Sequence, residues 1–358
     1  MATKKMRWSL VGCFWLALWS AGAGAQEGQW ESYIAAGEAA YQQGNYVAAE
    51  TQLVAALQEA QGFEPQDPRL VTTLNALALI YRVQDRYDEA EQLYRWVLSI
   101  QEKALGPEHQ DTAAAITSLA ILYQAQGKYD EAGLLYRQAM AIEKKALGPE
   151  HQDVAVSLDY LARLYEAQGK HPEAEPLRKR AVAIHEKALG PDHLGVGQSL
   201  NDLAELYRVL GRYAEAEPLH EQALAIREKA LGAEHPDVAR SLNNLARLYR
   251  ALGRYDAAEP LYRRALAIDE KALGVDHPSV AGALDNLARL YSAQGRYAEA
   301  ESLYQRGLEI REKARGPEHP DVARSLGNLG LLYLAQGRYG EAAPLYQRAL
   351  AIDEKALG

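Results

Sequence analysis

Residues 236–277 of the chain read PDVARSLNNLARLYRALGRYDAAEPLYRRALAIDEKALGVDH. Pro236 suits the first turn of a helix, where its missing N–H costs nothing. Gly253 predicts the end of that helix, because glycine readily adopts the left-handed backbone of a helix C-terminus. Between them, apolar residues recur at spacings of three and four, which predicts one buried helix face; they are Val238, Leu242, Leu245, Ala246 and Tyr249.

A second helix is predicted from about Tyr255 to Leu273. Its inner face is expected to carry Ala258, Leu261, Tyr262, Ala265 and Ile268. At a rise of 1.5 Å per residue, each helix is about 25 Å long. The stretch therefore predicts a helix-turn-helix hairpin, which cannot bury both of its faces without neighbouring hairpins.

The hairpin is one copy of a unit that repeats every 42 residues. A Gly-x-Tyr tripeptide marks the turn, and a marker tyrosine ends the first helix at Tyr81, Tyr123, Tyr165, Tyr207, Tyr249, Tyr291 and Tyr333. Counting a degenerate first copy, eight copies are predicted at about 30–67, 68–109, 110–151, 152–193, 194–235, 236–277, 278–319 and 320–358. Such a period predicts one all-α solenoid over residues 26–358. A coiled coil is excluded because glycine and proline recur throughout.

The composition excludes several classes of protein. Of the 358 residues, 48% are hydrophobic and 24% are charged, which is typical of folded chains. A formal net charge of -9 argues against binding of nucleic acid. Because Cys13 is the one cysteine, a disulfide framework and a cysteine-based metal site are both excluded.

The first 25 residues have the pattern of a secretory signal peptide. Positive charges at Lys4, Lys5 and Arg7 precede an apolar run, and small residues end the segment at Ala25. We therefore expect a secreted or periplasmic protein with no membrane span after cleavage. An uncleaved anchor is the alternative, and lipid attachment at Cys13 is not expected because the apolar stretch before it is very short.

The copies resemble the tetratricopeptide repeat, through Leu242–Tyr249, Gly253–Tyr255, Ala258 and Ala265. The longer unit, with Glu-Pro-Leu-Tyr at 259–262 and Asp-His-Pro at 276–278, is similar to the repeats of kinesin light chains and their bacterial relatives. The resemblance implies a right-handed superhelical solenoid of eight stacked hairpins. It also implies a concave groove, lined by the first helices, that binds peptide segments. Cargo transport does not carry over, because no segment resembles the coiled coil that attaches kinesin light chains to the motor.

The resemblance places groove residues nine, six, five and two positions before the marker tyrosine and one after it. The candidate partner-binding residues are Arg240, Asn243, Asn244, Arg247, Arg250, Asn286, Arg289, Arg324 and Asn328. Arginine suits an acidic peptide or a C-terminal carboxylate. Glu205 and Asp285 interrupt this basic, amide-rich series. A second interpretation also stays open, in which the arginines pair with acids of adjacent copies.

Earlier copies depart from this pattern. The position five before the marker is asparagine in the last three copies, whereas the preceding copies carry Ala76, Ser118, Tyr160 and Asp202. The resemblance therefore gives less support to peptide binding in the N-terminal half.

Six loop histidines each follow an acidic residue, at His109, His151, His193, His235, His277 and His319. Equivalent positions lie a whole hairpin apart, which is too far for shared metal ligation. We interpret these histidines as loop or cap residues. Three others, His171, His185 and His220, share no register. No phosphate loop, serine elbow or His-Glu-x-x-His motif is present, and neither a metal nor a cofactor is predicted.

The predicted function is a non-enzymatic adaptor or scaffold that binds a peptide or protein segment. The alternative is a peptide-responsive regulator whose solenoid changes shape. The last copy has no polar helix after it, so Leu345, Ala349 and Ile352 are expected to be partly exposed. Self-association, or docking of a partner, through this copy is the corresponding hypothesis, and a truncated gene product is the alternative.

Overall fold

The computed structural model describes residues 25–42, 44–63 and 67–357. Within these ranges the chain forms sixteen α-helices and no strand, which confirms the all-α prediction. The predicted signal peptide, apart from Ala25, lies outside the described residues. The helices are α1 (Ala25–Gln42), α2 (Tyr46–Ala60), α3 (Pro68–Val83), α4 (Tyr87–Leu105), α5 (Gln110–Ala125), α6 (Tyr129–Leu147), α7 (Gln152–Ala167), α8 (His171–Leu189), α9 (Leu194–Val209), α10 (Tyr213–Leu231), α11 (Pro236–Ala251), α12 (Tyr255–Leu273), α13 (Pro278–Ala293), α14 (Tyr297–Arg315), α15 (Pro320–Ala335) and α16 (Tyr339–Leu357).

The chain divides into two compact units, one up to Leu177 and the other from Arg178. In the first unit, α1–α2, α3–α4 and α5–α6 are helix-turn-helix pairs, and the second helix of each packs on the first helix of the next pair. In the second unit, α9–α10, α11–α12, α13–α14 and α15–α16 pack in the same way. Stability in each unit is therefore a sum of the contacts within each pair and the contacts between neighbouring pairs.

The quoted stretch folds as predicted. The five apolar residues named for its first helix are all buried in α11, which begins at Pro236. In α12, Leu261 is half-buried and the other four named residues are buried. Gly253 joins the two helices with a φ of 71°, the left-handed backbone that glycine adopts without strain.

Histidine caps the first helix of six copies. In each case Nδ1 accepts a hydrogen bond of 3.0–3.3 Å from the backbone N–H two residues later, at His109, His151, His193, His235, His277 and His319. This bond satisfies one of the N–H groups that a helix start leaves without a partner. The interpretation of these residues as caps is confirmed.

Replacing His235 with alanine should lower the free energy of unfolding by about 1 kcal/mol, because α11 loses its cap. His235→Asn is the matched control, since asparagine supplies another acceptor at the same position. Urea denaturation followed by circular dichroism measures both. Equal losses in the two variants would contradict a capping role.

The arginine of the Gly-Arg-Tyr turn links neighbouring helix pairs through side-chain contacts. Arg296 lies over the ring of Tyr291, with 3.8 Å between the guanidinium carbon and the ring centroid. The same arginine forms a 2.9 Å ion pair with Glu259 of the preceding copy, and Glu259 also accepts a 3.1 Å hydrogen bond from Tyr291. Arg338, Tyr333 and Glu301 repeat the arrangement one copy later. For these turn arginines, pairing with acids of adjacent copies is therefore what the structure shows.

The expected exposure at the end of the last copy was largely wrong. Ala349 and Ile352 are buried, because they pack on Val322, Ala323 and Leu326 of α15 within their own hairpin. Leu345 is half-buried. The exposed apolar side chains of this hairpin are instead Leu331, Leu334, Tyr339 and Leu350.

Candidate functional site

Six side chains of the second unit form a surface that we call the Asn–Arg strip. It lies on the first helices of copies 6, 7 and 8, which are α11, α13 and α15. Its members are Asn244, Arg247, Arg250, Asn286, Arg289 and Asn328. All six are half-buried or exposed, and their opposite helix faces carry the buried leucines and alanines.

Contacts between copies hold the first part of the strip. Asn244 donates to the side-chain oxygen of Asn201 at 2.9 Å, across one copy. Arg247 reaches Asn244 and Glu205, each at 3.4 Å. Asn244 and Arg247, two of the residues predicted for copy 6, therefore already contact polar side chains of copy 5.

The later part of the strip has a different set of partners. Asn328 donates to Asp285 at 3.3 Å, and Arg289 donates to the side-chain oxygen of Asn328 at 3.3 Å. Asp285 is buried and forms a 2.8 Å ion pair with the buried Arg311 of α14. Asp285 therefore lies beneath the strip and is paired from below, rather than interrupting the exposed face as predicted.

The other predicted site residues lie apart from this surface network. Arg240 pairs with Asp237 at 3.0 Å, and Arg324 pairs with Asp321 at 2.8 Å, each within its own first helical turn. The side-chain oxygen of Asn243 is buried without a hydrogen-bond partner. For Arg240, Arg247 and Arg324, pairing with acids is thus present in the structure, within the copy for two of them and between copies for Arg247.

Two cations of the strip, Arg250 and Arg289, have no carboxylate within ion-pair distance among the described residues. The positive charges of both arginines influence the pKa values of two buried tyrosines, Tyr262 and Tyr304. Burial raises the pKa of Tyr304 to about 12; the charges of Arg289 and Arg250 oppose this rise, and the charge of Asp285 adds to it. Burial also raises the pKa of Tyr262, which the charges of Arg250, Arg247 and Arg289 again oppose. Arg250 and Arg289 therefore both place positive charge near the same two tyrosines.

The second helices supply polar residues that the sequence reasoning missed. One column of the repeat carries Tyr94, Tyr136, Arg178, His220, Tyr262, Tyr304 and Tyr346. In the second unit, buried Arg178 pairs with Asp202 at 3.3 Å, and buried His220 lies 3.4 Å from Glu205. Aligning the copies at their period of 42 would have revealed both departures from tyrosine.

Some of the corresponding positions in the first unit carry apolar or aromatic residues. Leu79 and Ile121 are half-buried there, and Tyr160 stacks on Tyr136 with 5.6 Å between ring centroids and 5° between planes. Tyr160 therefore replaces the asparagine of later copies with an aromatic contact.

The described residues contain neither a cluster of metal ligands nor a membrane-spanning helix. No three histidine or acidic side chains lie close enough together to hold a metal ion. No helix there combines the length and apolar character needed to cross a membrane.

A tetratricopeptide repeat family model matches seven overlapping segments, residues 31–103, 72–145, 111–184, 153–229, 198–271, 249–313 and 279–355. The chain belongs to the tetratricopeptide repeat family. Its repeats are of the kinesin light chain type, so the resemblance seen in the sequence is confirmed. Tetratricopeptide repeat proteins are generally scaffolds without catalytic activity.

Three solved structures illustrate this likeness. The putative kinesin light chain repeats of Podosopora anserina are 36% identical, with 59% of this chain and 98% of that one covered and a TM-score of 0.49. BtubC (BKLC) from P. vanneervenii is 26% identical over 70% of this chain and 94% of its own, with a TM-score of 0.52. The apo quorum sensor NprR from B. thuringiensis shares the fold at 10% identity, covering 92% and 89%, with a TM-score of 0.63. A comparison with curated protein sequences finds no match.

Proposed function

We propose that the protein is a non-enzymatic scaffold that captures an acidic peptide segment, or a C-terminal carboxylate, on the Asn–Arg strip. The observation that carries the proposal is the pair Arg250, which is half-buried, and Arg289, which is exposed; neither has a carboxylate partner among the described residues. By contrast, Arg240 and Arg247 of α11 pair with Asp237 and Glu205, and Arg324 of α15 pairs with Asp321.

The chemistry of the strip suits an extended acidic chain. A guanidinium offers two parallel N–H donors to a carboxylate, and charge-assisted bonds of this kind are about twice as strong as neutral ones. The amide of Asn286 can both donate to and accept from a peptide backbone. Cations at separate copies with an amide between them therefore match carboxylates spaced along one segment.

The double substitution Arg250→Gln/Arg289→Gln should weaken binding of a fluorescein-labelled hexaglutamate peptide about 10-fold to 100-fold, because two charge-assisted contacts are lost. Fluorescence anisotropy at low and at physiological salt measures the affinity. Wild-type binding should fall as salt rises, since the contacts lie at the surface.

Arg240→Gln/Arg324→Gln is the control, since it also removes two positive charges, from arginines that pair within their own turns. It should change affinity by less than about 3-fold. Equal losses in the two double variants would show that net charge alone attracts the probe, and the assignment to Arg250 and Arg289 would then be wrong. A change in the small-angle scattering profile on adding hexaglutamate would favour the peptide-responsive regulator instead.

We also propose export, on the charge and hydrophobicity pattern of residues 1–25. Expression of the full chain in a Gram-negative host, followed by fractionation and N-terminal sequencing, should give periplasmic protein that begins at Gln26. A chain in the cytoplasm that still begins at Met1 would contradict export.

Self-association through the last hairpin is a further part of the proposal. The exposed side chains of Tyr339 and Leu350 support it. Analytical ultracentrifugation should show concentration-dependent association that Tyr339→Ser/Leu350→Ser removes. A strict monomer at high concentration would contradict it.

A further inference from the structure

Copy 5 departs from its neighbours at two positions whose side chains meet. Two residues before the marker tyrosine it carries Glu205, where copies 6 and 7 carry Arg247 and Arg289. In the tyrosine column of the second helix it carries His220. Nε2 of His220 lies 3.4 Å from Oε1 of Glu205, so the two departures form one contact.

Glu205 lies among three basic groups. Its Oε2 atom is 3.1 Å from Arg208 and 3.4 Å from Arg247. His220, only 1% exposed, lies behind it in α10. Burial raises the pKa of Glu205, but contacts with His220, Arg247 and Arg208 outweigh this effect and hold the pKa below its ordinary value. The carboxylate is thus kept charged beside Arg247.

We propose that Glu205 is a specificity-determining residue that acts as an internal carboxylate for Arg247. An acidic ligand reaching Arg247 must displace Glu205, whereas a ligand at Arg250 or Arg289 meets no such competitor. Glu205 thereby closes the copy 5 end of the Asn–Arg strip and confines carboxylate binding to the Arg250 and Arg289 region. This inference rests on the proposed function for its ligand, although the shielding itself does not.

The shielding can be measured without any ligand. Phenylglyoxal modifies arginines at a rate that falls when the guanidinium is paired, and peptide mass spectrometry resolves Arg247 from Arg289. Glu205→Gln keeps the shape of the side chain and removes its charge, so Arg247 should react about 5-fold faster, which corresponds to about 1 kcal/mol. Arg289 should change by less than about 2-fold, because it does not contact Glu205.

Two further variants complete the experiment. Glu205→Ala also removes the carboxylate, but replaces it with a smaller side chain than glutamine. Glu221→Gln is the matched control, because it also removes one negative charge, but from a residue that is the partner of the Tyr249 hydroxyl and forms no ion pair with Arg247 among the described residues. Circular dichroism and melting temperature establish that each variant is folded. Hexaglutamate anisotropy on the same proteins should show about 3-fold to 10-fold tighter binding for Glu205→Gln and no gain for Glu221→Gln.

Each outcome has a distinct meaning. Faster modification of Arg247 in both Glu205 variants, with tighter hexaglutamate binding, supports the proposal. An unchanged rate at Arg247, or the same gain in Glu221→Gln, overturns it. Faster modification with no hexaglutamate binding by any variant supports the shielding and overturns the proposed acidic ligand.

Discussion

Replacing Arg311 with alanine is expected to destabilise the second unit by about 3–5 kcal/mol, because it leaves the carboxylate of Asp285 buried without its cation. The side chains of Arg311 and Asp285 are 4% and 7% exposed and 2.8 Å apart. Arg311 also contacts the hydroxyl of Ser325, so the substitution removes a second buried bond. Urea denaturation followed by circular dichroism measures the loss.

The control is the double substitution Asp285→Asn/Arg311→Met, which removes both charges. It should recover a large part of the loss, because a neutral amide costs much less to bury than an unpaired carboxylate. A surface comparison is Arg263→Ala, whose partner is Glu259 and whose cost should be below about 1 kcal/mol. If Arg311→Ala costs no more than Arg263→Ala, the buried pair does not have the role assigned to it.

Replacing Glu143 with glutamine is expected to stabilise the first unit at pH 8 by about 2–3 kcal/mol. Burial raises the pKa of Glu143 from 4.5 to about 7, with a smaller opposing effect from Ser157. The folded chain therefore holds a proton that the unfolded chain releases between these two pH values. The wild-type free energy of unfolding should fall as pH rises from about 4.5 to 7 and then level off.

Glu143→Gln should lose this part of the pH dependence, so the two proteins should differ most above pH 7 and least below pH 4.5. Glu131→Gln is the control, since Glu131 is an exposed residue of the same helix and its change should stay within about 0.5 kcal/mol. Urea titrations at several pH values decide the matter. A wild-type pH profile that Glu143→Gln reproduces would contradict the expected burial cost.

The hairpins and their caps could be predicted from the sequence because they depend on local periodicity and turn chemistry. The spacing of Leu242, Leu245 and Tyr249 fixes a helix face, and a glycine such as Gly253 is needed wherever the backbone turns left-handed. The caps followed from a repeated histidine just before each helix start. Such features are set within a few residues of chain.

The partners of the groove arginines could not be predicted in this way. Arg240, Arg247 and Arg289 occupy groove positions in the family pattern, yet their partners differ because each partner comes from a different distance along the chain. Asp237 lies one turn away, Glu205 lies a whole copy earlier, and Arg289 donates to the side-chain oxygen of Asn328 in the following copy. Side-chain geometry decides which cation stays available.

A column of ionisable residues on the second helices, most of them buried, was missed for a related reason. It carries Glu143, His185, Arg227, Asp269 and Arg311 in successive copies, so no single residue type marks it. Most of its members contact a serine of the next copy, as Arg311 contacts Ser325 and Arg227 contacts Ser241. Columns that change residue type between copies become visible when the copies are aligned with one another.

The most direct test of acidic-peptide binding on the Asn–Arg strip is a titration of 15N-labelled protein with hexaglutamate, followed through arginine side-chain Nε–Hε resonances assigned by substitution. The resonances of Arg250 and Arg289 should shift saturably, while those of Arg240 and Arg324 stay in place. Shifts confined to Arg240 and Arg324, or no saturable shift at Arg250 and Arg289, would contradict the account.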